Sequence, residues 1–125
     1  MSERYDQGMA TRRRVLGDAH VNRAGADPLA APFQNLITEA AWGHVWSRGT
    51  ISDRERSMMT IALLAGLGND GELALHIRAT ANTGATREDV AEALLHVAIY
   101  AGVPRANHAF KVAREVFAEM DAANG

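Results

Sequence analysis

Apolar positions recur along the chain at intervals of three and four residues, and they nowhere alternate in the two-residue rhythm of a half-buried strand. This pattern predicts an all-α fold, a single-domain helical bundle of about six helices. SERYDQGMATRRRVLG gives a first helix ending at Gly17, and the polar stretch DAHVNRAGADP reads as a connection. Pro28 opens a second helix running to about Trp46, since a fixed φ and a missing N–H suit a first helical turn. Ser52 with Glu55 three residues later has the spacing of a capping box and starts a third helix through Leu67. Asn69 or Asp70 caps a fourth, which stops near Gly84, and Thr86 followed by Arg87, Glu88 and Asp89 opens a fifth. Gly102 and Pro104 mark a break, after which a last amphipathic helix runs from about Arg105 to Met120.

Two of these helices depart from the ordinary one-faced pattern. The fifth is apolar on nearly all sides from Ala93 to Ala101, which predicts the most buried element. A single chain of 125 residues has little interior in which to cover such a helix, so part of the core is expected to be shared between subunits. The first helix is the most polar, and is expected to lie across a neighbour or swing loosely. No repeat, linker or low-complexity segment divides residues 1–125, which read as one domain.

Composition narrows the function classes. The formal net charge of −2 lacks the basic excess of a general nucleic-acid binder. Almost every basic residue is Arg, Lys111 being the one Lys, and arginine forks suit the carboxylates of an anionic ligand. With no cysteine, thiolate metal sites, disulfides and thiol catalysis are ruled out, and a reducing cytoplasm fits. MSERYDQGMATRRR is charged throughout and resembles no secretory leader, and MMTIALLAGLG and ALLHVAIYAGV are too short to span a bilayer. Neither a membrane nor a nucleic-acid partner is expected.

The candidate chemistry lies on the fourth and fifth helices. Glu72 and His76 stand at i and i+4, as do Glu92 and His96, with Tyr100 one turn further. A carboxylate that accepts a bond from an imidazole fixes its tautomer and makes it a proton-transfer group near neutral pH. His96, set among Leu and Val, reads equally as a core histidine. Neither pair has the HExxH spacing or an obvious third ligand, so no metal site is expected. GLGNDG matches the letters of a dinucleotide fingerprint but follows a helix rather than a strand, and reads as a helix–helix turn. His20 and His108 are isolated candidates, and Trp42 and Trp46, four apart, either pack in the core or wall a pocket.

Three stretches together resemble a known family. They are ERYDQGMATRRRVLGDAHVNRA, AAWGHVWSRGTISDRERSMMTIALLAGLG and ELALHIRATANTGATREDVAEALLHVAIYAGVPRANHAF, which in this order resemble the carboxymuconolactone decarboxylases. The resemblance covers essentially the whole chain. It implies an alkylhydroperoxidase D-like helical fold assembled as a homotrimer or homohexamer, one carboxymuconolactone decarboxylase domain over 1–125, and a cytoplasmic enzyme of aromatic catabolism. The implied reaction is loss of carbon dioxide from 4-carboxymuconolactone, giving 3-oxoadipate enol-lactone in the protocatechuate branch of the β-ketoadipate pathway. Peroxidase-like relatives carry C-x-x-C-x-x-x-H on the fourth helix. Here that pattern falls on Asn69, Glu72 and His76, so the histidine is kept and both thiols are gone.

The implied substrate, a lactone dicarboxylate, conjugates its departing carboxylate to the lactone carbonyl and so contains its own electron sink. No cofactor is expected. The protein must stabilise an oxyanion, deliver a proton to carbon and hold the remaining carboxylate. His76 is the expected proton donor or oxyanion partner, oriented by Glu72, with His96 and His108 as further donors. Arg56 and Arg105 are the expected carboxylate clamps, with Trp42, Tyr100 and His20 as further substrate contacts, whereas Arg78, about 200° around the helix from His76, is expected to be a surface charge. The alternatives are an enzyme of the same fold acting on another lactone or carboxylate, and a non-enzymatic helical oligomer that binds a ligand.

Overall fold

Helix ends in this chain fall where a side chain or a glycine can satisfy the exposed backbone. The computed structural model describes residues 2–124. Helix α1 (Glu3–Leu16) starts where Ser2 Oγ accepts the Tyr5 N–H at 3.0 Å and ends at Gly17, whose φ of 89° favours glycine. A helix the sequence pattern does not predict, α2 (Asp18–Gly25), occupies the supposed polar connection. Its apolar content is low, yet Asp18 in the first turn and Arg23 in the last complement the helix dipole, and Val21 anchors it by burial. The expected second helix is continuous in extent but not in type. A 3-10 turn (Pro28–Ala30) leads into α3 (Ala31–Ile37), and a π-helical stretch follows from Thr38 to Trp46. The π register closes with Ser47 N–H donating to Trp42 O, five residues back, at 3.0 Å.

Four helices complete the chain: α4 (Asp53–Leu67), α5 (Asp70–Thr83), α6 (Arg87–Tyr100) and α7 (Val103–Asn124). Among the described residues there is no strand, and no helix is long and apolar enough to cross a membrane. Helix α7 begins two residues earlier than the sequence pattern suggests, because Pro104 sits in its first turn, where no N–H is needed. The chain folds as two compact units, one ending at Asp53 and the other beginning at Arg54.

In the first unit α1 packs on the π-helical stretch, so the expectation of a loosely swinging first helix gives way. Gly8, Thr11, Arg12 and Val15, at i, i+3, i+4 and i+7, form its buried face. The backbones meet at two glycines. A Cβ on Gly8 would stand 2.8 Å from the Gly43 nitrogen, and one on Gly43 would stand 2.6 Å from the Arg4 carbonyl oxygen. Trp42 and Trp46 are buried with ring centroids 5.0 Å apart, tilted by 33°.

In the second unit Ile61 of α4, Leu73 and Ile77 of α5, and Leu94 of α6 are fully buried, joined by a row of small α7 residues, Ala106, Ala109 and Ala113. Each of the large side chains stabilises the fold by about 1.5–3 kcal/mol through removal from water. Helix α6 opens with a reciprocal capping box: Asp89 Oδ2 accepts the Thr86 N–H at 2.9 Å and Thr86 Oγ1 accepts the Asp89 N–H at 3.0 Å. Arg54 from α4 grips the same carboxylate bidentately at 2.6 Å through both nitrogens. The bond from Arg54, reinforced by the Thr86 N–H, holds the Asp89 carboxyl far below the ordinary range.

Helix α6 does not become the most buried element. Val90, Ala93, Leu94 and Val97 face the core, while Ile99 and Tyr100 are 77% and 85% exposed. The helix packs on one side only, and its second apolar side, with Leu63 and Leu67 of α4 also exposed, lies uncovered in the single chain.

Candidate active site

The α4–α5 turn builds the polar pocket of the second unit. Gly68 turns the chain with a φ of 75°, and its N–H donates to Ala65 O at 3.2 Å, as GLGNDG read as a helix–helix turn requires. The missing side chain also makes room: a Cβ on Gly68 would lie 3.0 Å from the Arg105 Cζ and collide with its Nη1. The Arg105 guanidinium therefore occupies the space that a side chain at position 68 would fill. Exposed, it has no carboxylate partner among the described residues.

One helical turn beyond Arg105 on α7, His108 Nε2 meets Asp70 Oδ2 at 2.8 Å. Asp70 is the first residue of α5, and Asn69 ahead of it caps through backbone alone. Asn69 makes no side-chain cap bond, and the Asp70 carboxylate turns to His108. Ala65, Gly68, Asp70, Pro104, Arg105 and His108 together line an open pocket of about 360 Å³. That volume lies within the range of small-molecule sites. A carboxylate that holds one ring nitrogen of an imidazole fixes the other for proton transfer, and the adjacent unpaired cation attracts an anion.

The other candidates are spread over several environments. His76 is 8% exposed on α5, with its Nδ1 sealed from solvent. Glu72, four residues earlier, is exposed and has no hydrogen-bond partner among the described residues. One carboxylate–imidazole bond that the structure does contain is Asp70–His108, between residues 38 apart in the chain. Arg56 is buried on α4 beside Ser57.

His96 is exposed, which overturns its reading as a core histidine. It stacks on Tyr100 with centroids 6.2 Å apart, and the two help to line an apolar groove with Leu63, Gly66 and Leu67. Arg78, expected on the surface, is exposed and paired with Glu119 of α7. His20 is half-buried on α2 and Trp42 is packed on Trp46, both in the first unit. Among the described residues no three His, Asp or Glu side chains converge as a metal-ligand set.

A helical scaffold that presents an unpaired arginine beside a carboxylate-held imidazole has the chemistry to hold a small anion and to move a proton. Comparison with known proteins supplies the class. The sequence pattern of the carboxymuconolactone decarboxylase family matches residues 31–115, and the chain belongs to that family. It is 43% identical over 120 residues to a 4-carboxymuconolactone decarboxylase of Acinetobacter baylyi, covering 94% of this chain and 90% of that protein. It is 39% identical over 118 residues to a nitrosuccinic acid decarboxylase of Metarhizium robertsii, covering 93% of this chain and 82% of the relative. A 43-residue match at 49% identity links 33% of this chain to 90% of a 4-carboxymuconolactone decarboxylase of Pseudomonas putida.

Asp70 does not stand out in the sequence as a functional residue. Its position at a helix start gives it a sufficient local role as a cap, and nothing within one helix points from it to His108.

Proposed function

We propose that this protein is a carboxy-lyase that converts 4-carboxymuconolactone to 3-oxoadipate enol-lactone and carbon dioxide, without a cofactor, in the β-ketoadipate pathway. The observation that carries this reading is the 43% identity extending over 94% of the chain to a decarboxylase of that name. The family pattern runs across the boundary between the two units, which supports treating both as one carboxymuconolactone decarboxylase domain. The activity belongs, in this reading, in the cytoplasm, where a diffusible catabolic intermediate is met.

The chemistry assigns work to this chain's own side chains. Cleavage of the bond to the departing carboxylate releases carbon dioxide and sends the electron pair through the ring alkene into the lactone carbonyl. A dienolate forms, and protonation at the α-carbon completes the enol-lactone. Preset donors at the oxyanion are worth on the order of 3 kcal/mol each, and a positioned general acid about 10²- to 10⁴-fold in rate. Arg105, open and unpaired, is assigned to a substrate carboxylate, and His108, held by Asp70, to proton handling beside it. His76, buried on α5, is assigned as the second proton donor or oxyanion partner, with Glu72 relaying protons at the exposed start of the helix. Arg56 is assigned as a second clamp.

Self-association is part of the same proposal. The uncovered face of α4 and α6 supports a homotrimer or homohexamer, with His96 and Tyr100 on its boundary.

The test is direct: incubate the protein with 4-carboxymuconolactone and follow carbon dioxide release and loss of butenolide absorbance. Rapid turnover, lost in His76→Gln with helicity intact, supports the reading; wild-type turnover in that variant removes His76 from the mechanism. The relative named for nitrosuccinic acid favours a second reading, a decarboxylase of the same family for a different carboxylic acid. Turnover of nitrosuccinate with the lactone left untouched selects it.

A further inference from the structure

Three consecutive arginines, Arg12 to Arg14, stand near the end of α1 and meet different fates. Arg13 pairs with Asp18 at 3.0 Å, and Arg14 grips Asp53 through Nε and Nη2 at 3.0 and 3.1 Å. Arg12, between Thr11 and Arg13, is 4% exposed and has no carboxylate partner among the described residues. Its Nη1 donates to Thr38 Oγ1 at 3.2 Å and its Nη2 to Gln34 Oε1 at 2.6 Å. A guanidinium carries five N–H groups, so most of its donors remain unused, and the Nε–H has no acceptor at all among the described residues. Burial lowers the Arg12 pKa; Tyr5 pulls it back upward, and Arg13 lowers it by less than that. A buried charge without a counter-ion is strongly destabilising, yet this fold keeps one.

Beside it lies a cavity of about 330 Å³, built wholly from residues of the first unit. Arg12 and Arg13 line it, with amide groups from Asn22, Gln34 and Asn35 and the hydroxyl of Tyr5, and its lining contains no Asp or Glu. The lining thus offers cations and neutral polar groups but no carboxylate of its own, the Asp18 carboxylate being engaged by Arg13. We infer that this cavity is a binding site for the carboxylate of a small organic acid, which supplies the counter-ion Arg12 lacks. A single buried guanidinium flanked by neutral amides matches one negative charge on a planar, two-oxygen group better than a multiply charged phosphate. The inference does not depend on the decarboxylation reading, and its test reads binding rather than turnover.

The test titrates the protein with sodium succinate at constant ionic strength and follows the Arg12 Nε–H resonance by ¹⁵N NMR, with thermal unfolding alongside. The resonance assignment comes from its loss in Arg12→Lys. Wild type is expected to show a saturable shift of that resonance and a matching rise in Tm. Gln34→Glu places a carboxylate beside Nη2 with almost no change of shape. It is expected to weaken succinate binding by roughly tenfold or more while leaving the fold intact. Arg12→Gln, if folded, is expected to lose the succinate-dependent rise in Tm. No saturable shift in wild type, or undiminished succinate binding in Gln34→Glu, overturns the site. Equal binding of sulfate overturns the carboxylate assignment.

Discussion

At the scale of single residues, the pocket beside Gly68 depends on three side chains that each do what the others cannot. In the proposed mechanism Arg105 supplies the charge and His108 the transferable proton, while the Asp70 contact leaves the other ring nitrogen of His108 free. His108→Gln is expected to lower kcat/KM about 10²-fold or more, the typical contribution of a positioned general acid. Asp70→Asn keeps the shape but loses the charge-assisted bond, and is expected to lower kcat by roughly tenfold with KM little changed. A merely structural Asp70 would instead lower Tm without touching kcat in the folded fraction, so steady-state kinetics with a melting curve separates the two roles. His108 and Arg105 were legible in the sequence as candidates, but not their convergence on one pocket or the part of Asp70. Glu72 and His76 announce themselves because helical spacing is local, whereas Asp70 and His108 are joined only by how α5 and α7 pack. Arg105 was visible as a cation near a helix end, but the glycine that makes room for its guanidinium read only as a turn.

At the scale of elements, local chemistry decided how much the sequence revealed. Gly17, Gly84 and the Thr86–Asp89 box each act within one turn of their own helix, so the ends of α1 and α5 and the start of α6 were readable. Helix α2 was not, since a single buried Val21 leaves almost no apolar period to detect. The π register of residues 38–46 was hidden too, because Gly43 meets the backbone of α1 and that crossing is a tertiary event. Gly8→Ala tests the crossing. Its new methyl meets backbone rather than a movable side chain, so a loss of about 1–3 kcal/mol or more is expected by denaturant unfolding. The α4–α6 tie gives a pH signature. Arg54 and Thr86 hold the Asp89 carboxyl below its unfolded value, so its contribution is complete above the unfolded pKa of about 3.9. That contribution drains away as pH falls toward the lower folded value. Asp89→Asn is therefore expected to lower Tm at neutral pH and to flatten the acid limb of the Tm profile. An unchanged limb would mean that other carboxylates govern acid unfolding.

At the scale of the whole molecule, the uncovered apolar side chains argue for assembly. Leu63, Leu67, Leu95, Ile99 and Tyr100 stand more than half exposed on α4 and α6, next to a groove of about 350 Å³ that is almost wholly apolar. Covering a Leu or Ile is worth about 1.5–3 kcal/mol. Several together reach the order of 10 kcal/mol, comparable with the rotational and translational cost of association. A contiguous face of this kind on a small soluble chain marks an interaction surface. Closed self-association covers it with surface from another copy of the chain, and so requires no partner of different chemistry. Wild type is accordingly expected to run as a trimer or hexamer by light scattering. Ile99→Asp places a charge on the exposed apolar side of α6, where burial without a partner is costly, and is expected to release folded monomers with unchanged helical circular dichroism. Ile99 faces away from the core of its own unit, so the substitution leaves that core intact and the change in mass reports the interface alone. A wild-type protein that stays monomeric at high concentration, or an Ile99→Asp variant of unchanged mass, would place the contact elsewhere.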